Sequence, residues 1–176
     1  MTIELLTSMQ RNTFNEDCLI AWAYRTRRYF QDCNTALDIG CGIGYQTAEV
    51  SRLHPGMHIH CLDKTGIESS IQYSNNGYKH NDLDLTVEHL QNYNCSVYDV
   101  DEYTWADSID IVYSTLSWGW HYPISLYLKR VLALSPKYII LDQRNKKQTI
   151  PGYLLVDDFR INRKETTKVY VAQKSQ

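Results

Sequence analysis

The sequence is short of almost everything that marks a secreted, membrane-spanning or repetitive protein. No apolar run approaches the roughly 18 residues needed to cross a bilayer. The opening residues, Met1-Thr2-Ile3-Glu4-Leu5-Leu6, lack the basic start and apolar stretch of a secretory signal. The cysteines, Cys18, Cys33, Cys41, Cys61 and Cys95, are odd in number and include no C-x-x-C. Neither a complete disulfide framework nor a zinc site is therefore expected, and a reducing cytoplasm is the expected location. Asn94-Cys95-Ser96 matches a glycosylation sequon in form only, because using it requires secretion. With 4 Pro and 8 Gly in 176 residues there is no linker array, and no repeat or low-complexity block is present. Charge of one sign is not in excess either. The 18 Lys and Arg against 20 Asp and Glu leave a net charge of -2, which argues against a backbone-driven grip on nucleic acid.

What is present suits one folded domain. At 43% hydrophobic and 22% charged the chain can build a core, and its length has room for a single domain, 1–176. This divides into an N-terminal helical segment, 1–34, and a core, 35–176. The 14 tyrosines suit half-buried surfaces and pocket walls.

Strand and helix patterns alternate along the core. Asn15, followed by Glu16 and Asp17, reads as the cap of a helix with Leu19, Trp22, Ala23, Tyr29 and Phe30 near one face. Thr35 to Ile39 is a buried-strand pattern that breaks into Gly40-Cys41-Gly42-Ile43-Gly44 and a helix ended by Pro55-Gly56. Met57 to Leu62 is a second strand closing on Asp63, and residues from Gly66 to Asn75 can form a further helix. Asp82 can cap a short helix carrying Leu83, Val87 and Leu90 on one face. Cys95 to Asp99 is strand three, and Ile109 to Ser114 is strand four, running into Trp118-Gly119-Trp120-His121-Tyr122. Pro123 then opens a helix bearing Ile124, Tyr127, Val131 and Leu134, stopped by Ser135-Pro136. Tyr138 to Asp142 is strand five. Gly152 to Asp158 is expected as a short helix, and Phe159 to Asn162 with Thr167 to Ala172 as a terminal hairpin. This order implies an α/β fold, a mainly parallel sheet with helices on both faces and an antiparallel C-terminal pair.

Asp38-Ile39-Gly40-Cys41-Gly42-Ile43-Gly44 is the most informative stretch. A dinucleotide fingerprint, counted from Gly40, needs glycine at position 45, where Tyr45 stands, so a pyrophosphate cradle is disfavoured. Alternating glycines let a ligand lie on the backbone at the carboxyl end of the first strand. Asp38 would repel phosphate and attract an ammonium. Asp63 can accept bidentately from two ribose hydroxyls. Asp99, with Asp101 and Glu102 offering the same chemistry nearby, can accept from an adenine amine. An aminoacyl end, a ribose and an adenine without phosphates describe S-adenosyl-L-methionine.

Ala36 to Gly44 (A-L-D-I-G-C-G-I-G) resembles motif I of class I S-adenosylmethionine-dependent methyltransferases, and the inferred strand order follows theirs over nearly the whole chain. The resemblance implies a Rossmann-like, seven-stranded methyltransferase fold. It also implies a cofactor site at Asp38, Gly40, Cys41, Gly42, Gly44, Asp63, Asp99 and Ser114. The segment from Tyr113 to Pro123 is similar to S-W-G-F-H-Y-P of bacterial sugar or small-molecule O-methyltransferases, with Trp120 in place of Phe.

Ser114-Thr115-Leu116-Ser117 stands where N-methyltransferases of DNA or protein carry N-P-P-Y or D-P-P-Y, so O-methylation is expected. An imidazole is suited to accept a hydroxyl proton near neutral pH, which makes His121 the candidate general base. Trp118, Trp120 and Tyr122 are candidate walls of the acceptor pocket, with at least one of them expected in the core. Asp142 at the end of strand five could be a metal carboxylate, but Asp142-Gln143-Arg144-Asn145 lacks a paired Asp-Asn set, and no metal is expected. Cys41 and Cys61 are expected as packing residues. Arg144, Lys146 and Lys147, and Arg25, Arg27 and Arg28, are basic clusters that suit an acidic substrate or a solvated surface. The expected partner is a small-molecule acceptor, with no membrane and little claim on nucleic acid. Only 1–34 and 117–123 remain to build an acceptor site, so a small acceptor, or a pocket completed by a second subunit such as a homodimer partner, is implied. Two alternatives stay open: a catalytically silent methyltransferase-like partner subunit, and an RNA methyltransferase.

Overall fold

A computed structural model describes residues 16–64, 82–143, 149–161 and 166–173. Seven strands form one sheet in the order β3-β2-β1-β4-β5-β7-β6. They are β1 (Thr35–Ile39), β2 (His58–Asp63), β3 (Cys95–Asp99), β4 (Ile111–Ser114), β5 (Tyr138–Gln143), β6 (Tyr153–Phe159) and β7 (Thr166–Ala172). The first five run parallel, and β7 joins β5 and β6 antiparallel. The inner strands are apolar runs because both faces of the sheet are covered. All four residues of β4 and the last four of β1 are buried.

Among the described residues four helices cover the sheet: α1 (Glu16–Phe30), α2 (Tyr45–Leu53), α3 (Leu83–Leu90) and α4 (Ser125–Ala133). The apolar stripe of α1 buries Trp22, Ala23, Tyr29 and Phe30 against β4 and β5, with Trp22 and Phe30 packed on Tyr113 and Tyr29 on Tyr138. Ala48 and Val50 of α2 and Leu90 of α3 complete that layer. The opposite layer is built by Ile124, Val131 and Leu134 around α4, with Trp118 beside them. Over β3 that second face is covered by the β3–β4 connection itself, through Val100, Tyr103 and Trp105. Helix α4 stops where Ser135, at φ 52°, precedes Pro136.

Two expectations need correction, and others fall outside the described residues. The segment from Gly152 to Asp158 is not a helix. Gly152 makes a turn at φ 77°, and Tyr153–Phe159 pairs along β7, so the hairpin is formed by β6 and β7 with a bulge between Leu155 and Asp157. Its Leu154-Leu155-Val156 run is exposed on the sheet edge, a pattern that reads as well for a helix as for a strand. In α3 the Asp82 cap forms, accepting from the Leu85 N–H at 3.2 Å. There Val87 is exposed and Thr86 is buried instead, because the Thr86 hydroxyl donates to the Gly42 carbonyl at 2.8 Å. The Asn15 cap, the helix expected at 66–75 and the basic residues Arg144, Lys146 and Lys147 lie outside the described residues.

Candidate functional site

The carboxyl ends of β1 to β4 converge on the glycine loop. Gly40, Gly42 and Gly44 have φ of 77°, 57° and 85°, all in the left-handed region that side chains disfavour. Each is tied down by a neighbour. The Gly40 N–H donates to the Leu62 carbonyl at 2.7 Å, and the Gly42 N–H donates to Asp63 Oδ2 at 2.6 Å. A Cβ on Gly44 would meet the Leu90 side chain at 2.7 Å, and one on Gly40 would overlap the Ser117 side chain. The three glycines thus present bare backbone, held between the tips of β2 and β4 and helix α3.

The three acids occupy two depths. Asp63 and Asp99 are register neighbours across β2 and β3 at the sheet edge. Asp63 accepts from Gly42 and, through Oδ1, from the Lys64 N–H at 2.7 Å, which fixes its carboxylate while leaving each oxygen a further lone pair. Burial pushes Asp63 up to about 6 against those two hydrogen bonds, with the Asp99 charge adding to the rise. Asp99 Oδ1 accepts from the Asp101 N–H at 2.8 Å, and the Asp101 carboxylate pairs with Lys64 at 2.7 Å beside the β2 tip.

Asp38 lies deeper, paired in register with Cys61 and Tyr113 and only 1% exposed. Thr47 of α2 donates to its Oδ2 at 2.6 Å, and Oδ1 is buried with no hydrogen-bond partner among the described residues. Burial raises Asp38 to about 7, opposed by contacts to Thr47 and Tyr113. Trp22 Nε1 and Gln46 Oε1 are also buried without partners among the described residues, so unmet polar groups collect between α1 and the base of the loop.

The other expected site residues divide. Ser114 is fully buried, donating to the Ile39 carbonyl at 2.6 Å and accepting the Trp118 N–H at 2.8 Å. Its hydroxyl brackets the glycine-loop strand and the β4 loop. Trp118 is likewise 0% exposed, its Nε1 donating to the Ile124 carbonyl at 2.8 Å, which makes it the core member of the aromatic trio and not a pocket wall. Trp120 and Tyr122 are partly exposed and His121 is exposed. The Ser117 carbonyl accepts the N–H groups of all three, folding 117–122 into one compact turn. Burial raises the Tyr122 phenol, and the Asp63 charge adds to the rise. Cys41 is pushed up to about 11, where burial and the Asp63 and Asp38 charges outweigh a contact to Cys61, and Cys61 is raised as well. These thiols are protonated packing groups, not nucleophiles.

Sequence reasoning missed Thr47 and Ser117. Thr47 is at the third position of a helix that begins beside Gly44, where a small hydroxyl can reach back to the strand end. Ser117 was signalled only by its small size next to a loop that tolerates no bulk.

No family model and no curated protein matches this chain. Solved structures do. Burkholderia thailandensis 1,6-didemethyltoxoflavin-N1-methyltransferase, crystallised with 1,6-didemethyltoxoflavin and S-adenosylhomocysteine, aligns with a TM-score of 0.65 at 14% identity over 95% of this chain and 84% of that one. The fold is that of class I methyltransferases. Methyltransferases with other acceptors share it. The mitomycin 7-O-methyltransferase MmcR aligns at TM-score 0.61 and 14% identity over 96% of this chain and 56% of its own. The rRNA methyltransferase aviRa of Streptomyces viridochromogenes aligns at 0.54 and 15% over 85% and 83%. At these identities the likeness establishes the methyltransferase fold and leaves the acceptor to be argued from the site.

Proposed function

We propose that this chain, as one domain over 1–176, is an S-adenosylmethionine-dependent methyltransferase acting on a hydroxyl of a small molecule, a sugar being one candidate class. The observation that carries the reading is the pairing of Asp63 and Asp99 at the edge of β2 and β3, next to a loop of three left-handed glycines. The residues fit the cofactor. Asp63 and Asp99 retain acceptor capacity for ribose and adenine, the glycines keep the floor free of side chains, and the unpartnered Asp38 Oδ1 suits an ammonium end. When bound, the cofactor supplies a methyl group on a positively charged sulfur, which is already activated for displacement. The protein's share is then positioning, exclusion of water and removal of the acceptor proton.

His121 stands on the β4 loop and takes that hydroxyl proton on an imidazole nitrogen. Trp120 and Tyr122, the partly exposed members of the same turn, frame the acceptor. The RNA reading is weakened by α1, whose Arg25 and Arg28 are bound to Asp157 of β6 at 3.4 and 2.8 Å. The test is transfer of radioactive methyl from S-adenosylmethionine into a fractionated extract of metabolites and RNA. Label is expected in a hydroxylated small molecule, with turnover lowered at least about tenfold in His121→Ala. Label confined to RNA, or unchanged turnover in the variant, would refute the respective assignment.

A further inference from the structure

Asp142 lies at the carboxyl end of β5, 5% exposed, beneath the turn that carries His121. Its Oδ2 accepts the Leu116 N–H at 3.1 Å, and its Oδ1 accepts the Thr167 hydroxyl at 2.6 Å. One side chain therefore ties the β4 loop to β7. Its main-chain carbonyl supports the same turn, since a Cβ on Gly119 would come within 3.0 Å of it.

The residue it holds is strained. Leu116 has φ 54°, a conformation that L side chains resist and that persists only where neighbours enforce it. Two residues on, the Trp118 N–H is fixed by Ser114, itself bonded to Ile39 at the base of the glycine loop. Between these two anchors Ser117 rests on Gly40, and its carbonyl organises Trp120, His121 and Tyr122. The orientation of the turn over the glycine loop thus depends on Leu116 keeping its left-handed conformation.

We propose that Asp142 is a positioning residue that holds Leu116 in that conformation and so aims the 117–122 turn, His121 included, at the glycine-loop site. The functional meaning of this role rests on the methyltransferase reading, whereas the anchor itself can be tested without an acceptor. The role needs an acceptor atom facing Leu116, not a negative charge. In Asp142→Asn the amide oxygen can keep the Leu116 bond, and the Thr167 hydroxyl can rotate to accept from the amide nitrogen. A metal-ligand or base role would require the carboxylate.

Hydrogen exchange on the full chain, corrected for intrinsic rates, reads the anchor directly. In Asp142→Ala the amides of 116–122 are expected to exchange at least about tenfold faster, with those of 36–39 and 58–62 unchanged. Asp142→Asn should stay within about threefold of wild type. Leu116→Gly added to Asp142→Ala should restore part of the protection at 117–122, because glycine adopts positive φ without a steric penalty, while the residue-116 amide stays without its acceptor. The His121 ring proton signal in nuclear magnetic resonance should move in Asp142→Ala and not in Asp142→Asn. Should the alanine variant fail to fold, Asp142→Ser, whose hydroxyl is one bond shorter than the carboxylate, replaces it. Unchanged exchange in these variants, an asparagine variant as fast as alanine, or no rescue by Leu116→Gly would overturn the proposal. Titration of the same wild-type sample with S-adenosylhomocysteine separates the two readings. Loss of binding there condemns the cofactor assignment, whereas the exchange series alone decides the anchor.

Discussion

Replacing Gly40 with alanine should disable the loop in two separable ways. At φ 77° an alanine pays the left-handed penalty of about 1–2 kcal/mol. Its Cβ would also overlap Ser117 Oγ and Cβ, while the Ser117 Cα would remain 3.8 Å away. Overpacking of this kind costs about 1–3 kcal/mol, so the total is about 2–5 kcal/mol. With a urea slope of about 2 kcal/mol/M, the unfolding midpoint should fall by about 1–2.5 M. The geometry also dictates the rescue. Ser117→Gly removes both overlapping atoms and should recover about 1–3 kcal/mol in the Gly40→Ala chain, leaving the backbone penalty. Ser117→Ala removes Oγ but leaves Cβ, and should recover less than half as much. The single Ser117 variants complete the cycle. A loss below about 0.5 kcal/mol for Gly40→Ala, or equal recovery by the two Ser117 substitutions, would refute the reasoning.

Trp118→Ala empties a fully buried site and frees the Ile124 carbonyl, so it should cost about 3–5 kcal/mol in urea unfolding. Trp120→Ala, on the partly exposed neighbour, should cost less than half of that, and equal costs would contradict the core placement of Trp118. Burial raises Asp38 to about 7 and Asp63 to about 6, above the ordinary 3.8, so the folded chain binds more protons than the unfolded one between those values. The stability from these two groups is complete below about pH 4 and is lost as pH rises toward 7. Thermal midpoints measured from pH 4 to 8 should therefore show Asp38→Asn gaining on wild type as pH rises. A constant difference between the two would show that Asp38 does not titrate in that range.

The parallel strands were legible because burial on both faces leaves unbroken apolar runs such as Ile111-Val112-Tyr113, and the glycine loop because alternate glycines have few other uses. What could not be read was depth. Asp38 and Asp63 look equivalent as acids at the ends of strands, yet the β1–β2 register pairs Asp38 with Cys61 and leaves Asp63 at the edge. Ser114 and Trp118 sit in a loop rich in candidate functional groups, and only the bonds to Ile39 and Ile124 assign them to bracing and core. Residues 152–158 failed for a different reason: an edge strand with a bulge has no strict alternation, so no period of two was there to find. Thr86 replaced Val87 inside because a carbonyl distant in sequence, that of Gly42, offered its hydroxyl a partner.

On the proposed function, the acids at the β2 and β3 tips and the glycine loop hold an adenosyl amino-acid ligand. Calorimetric titration of the wild-type chain and of Asp63→Ala with S-adenosylhomocysteine tests it most directly. Saturable one-site binding is expected of the wild type, with at least about tenfold weaker binding once Asp63 no longer accepts from the ribose and Gly42. Absence of saturable binding at millimolar ligand, or equal affinity in the two chains, would contradict it.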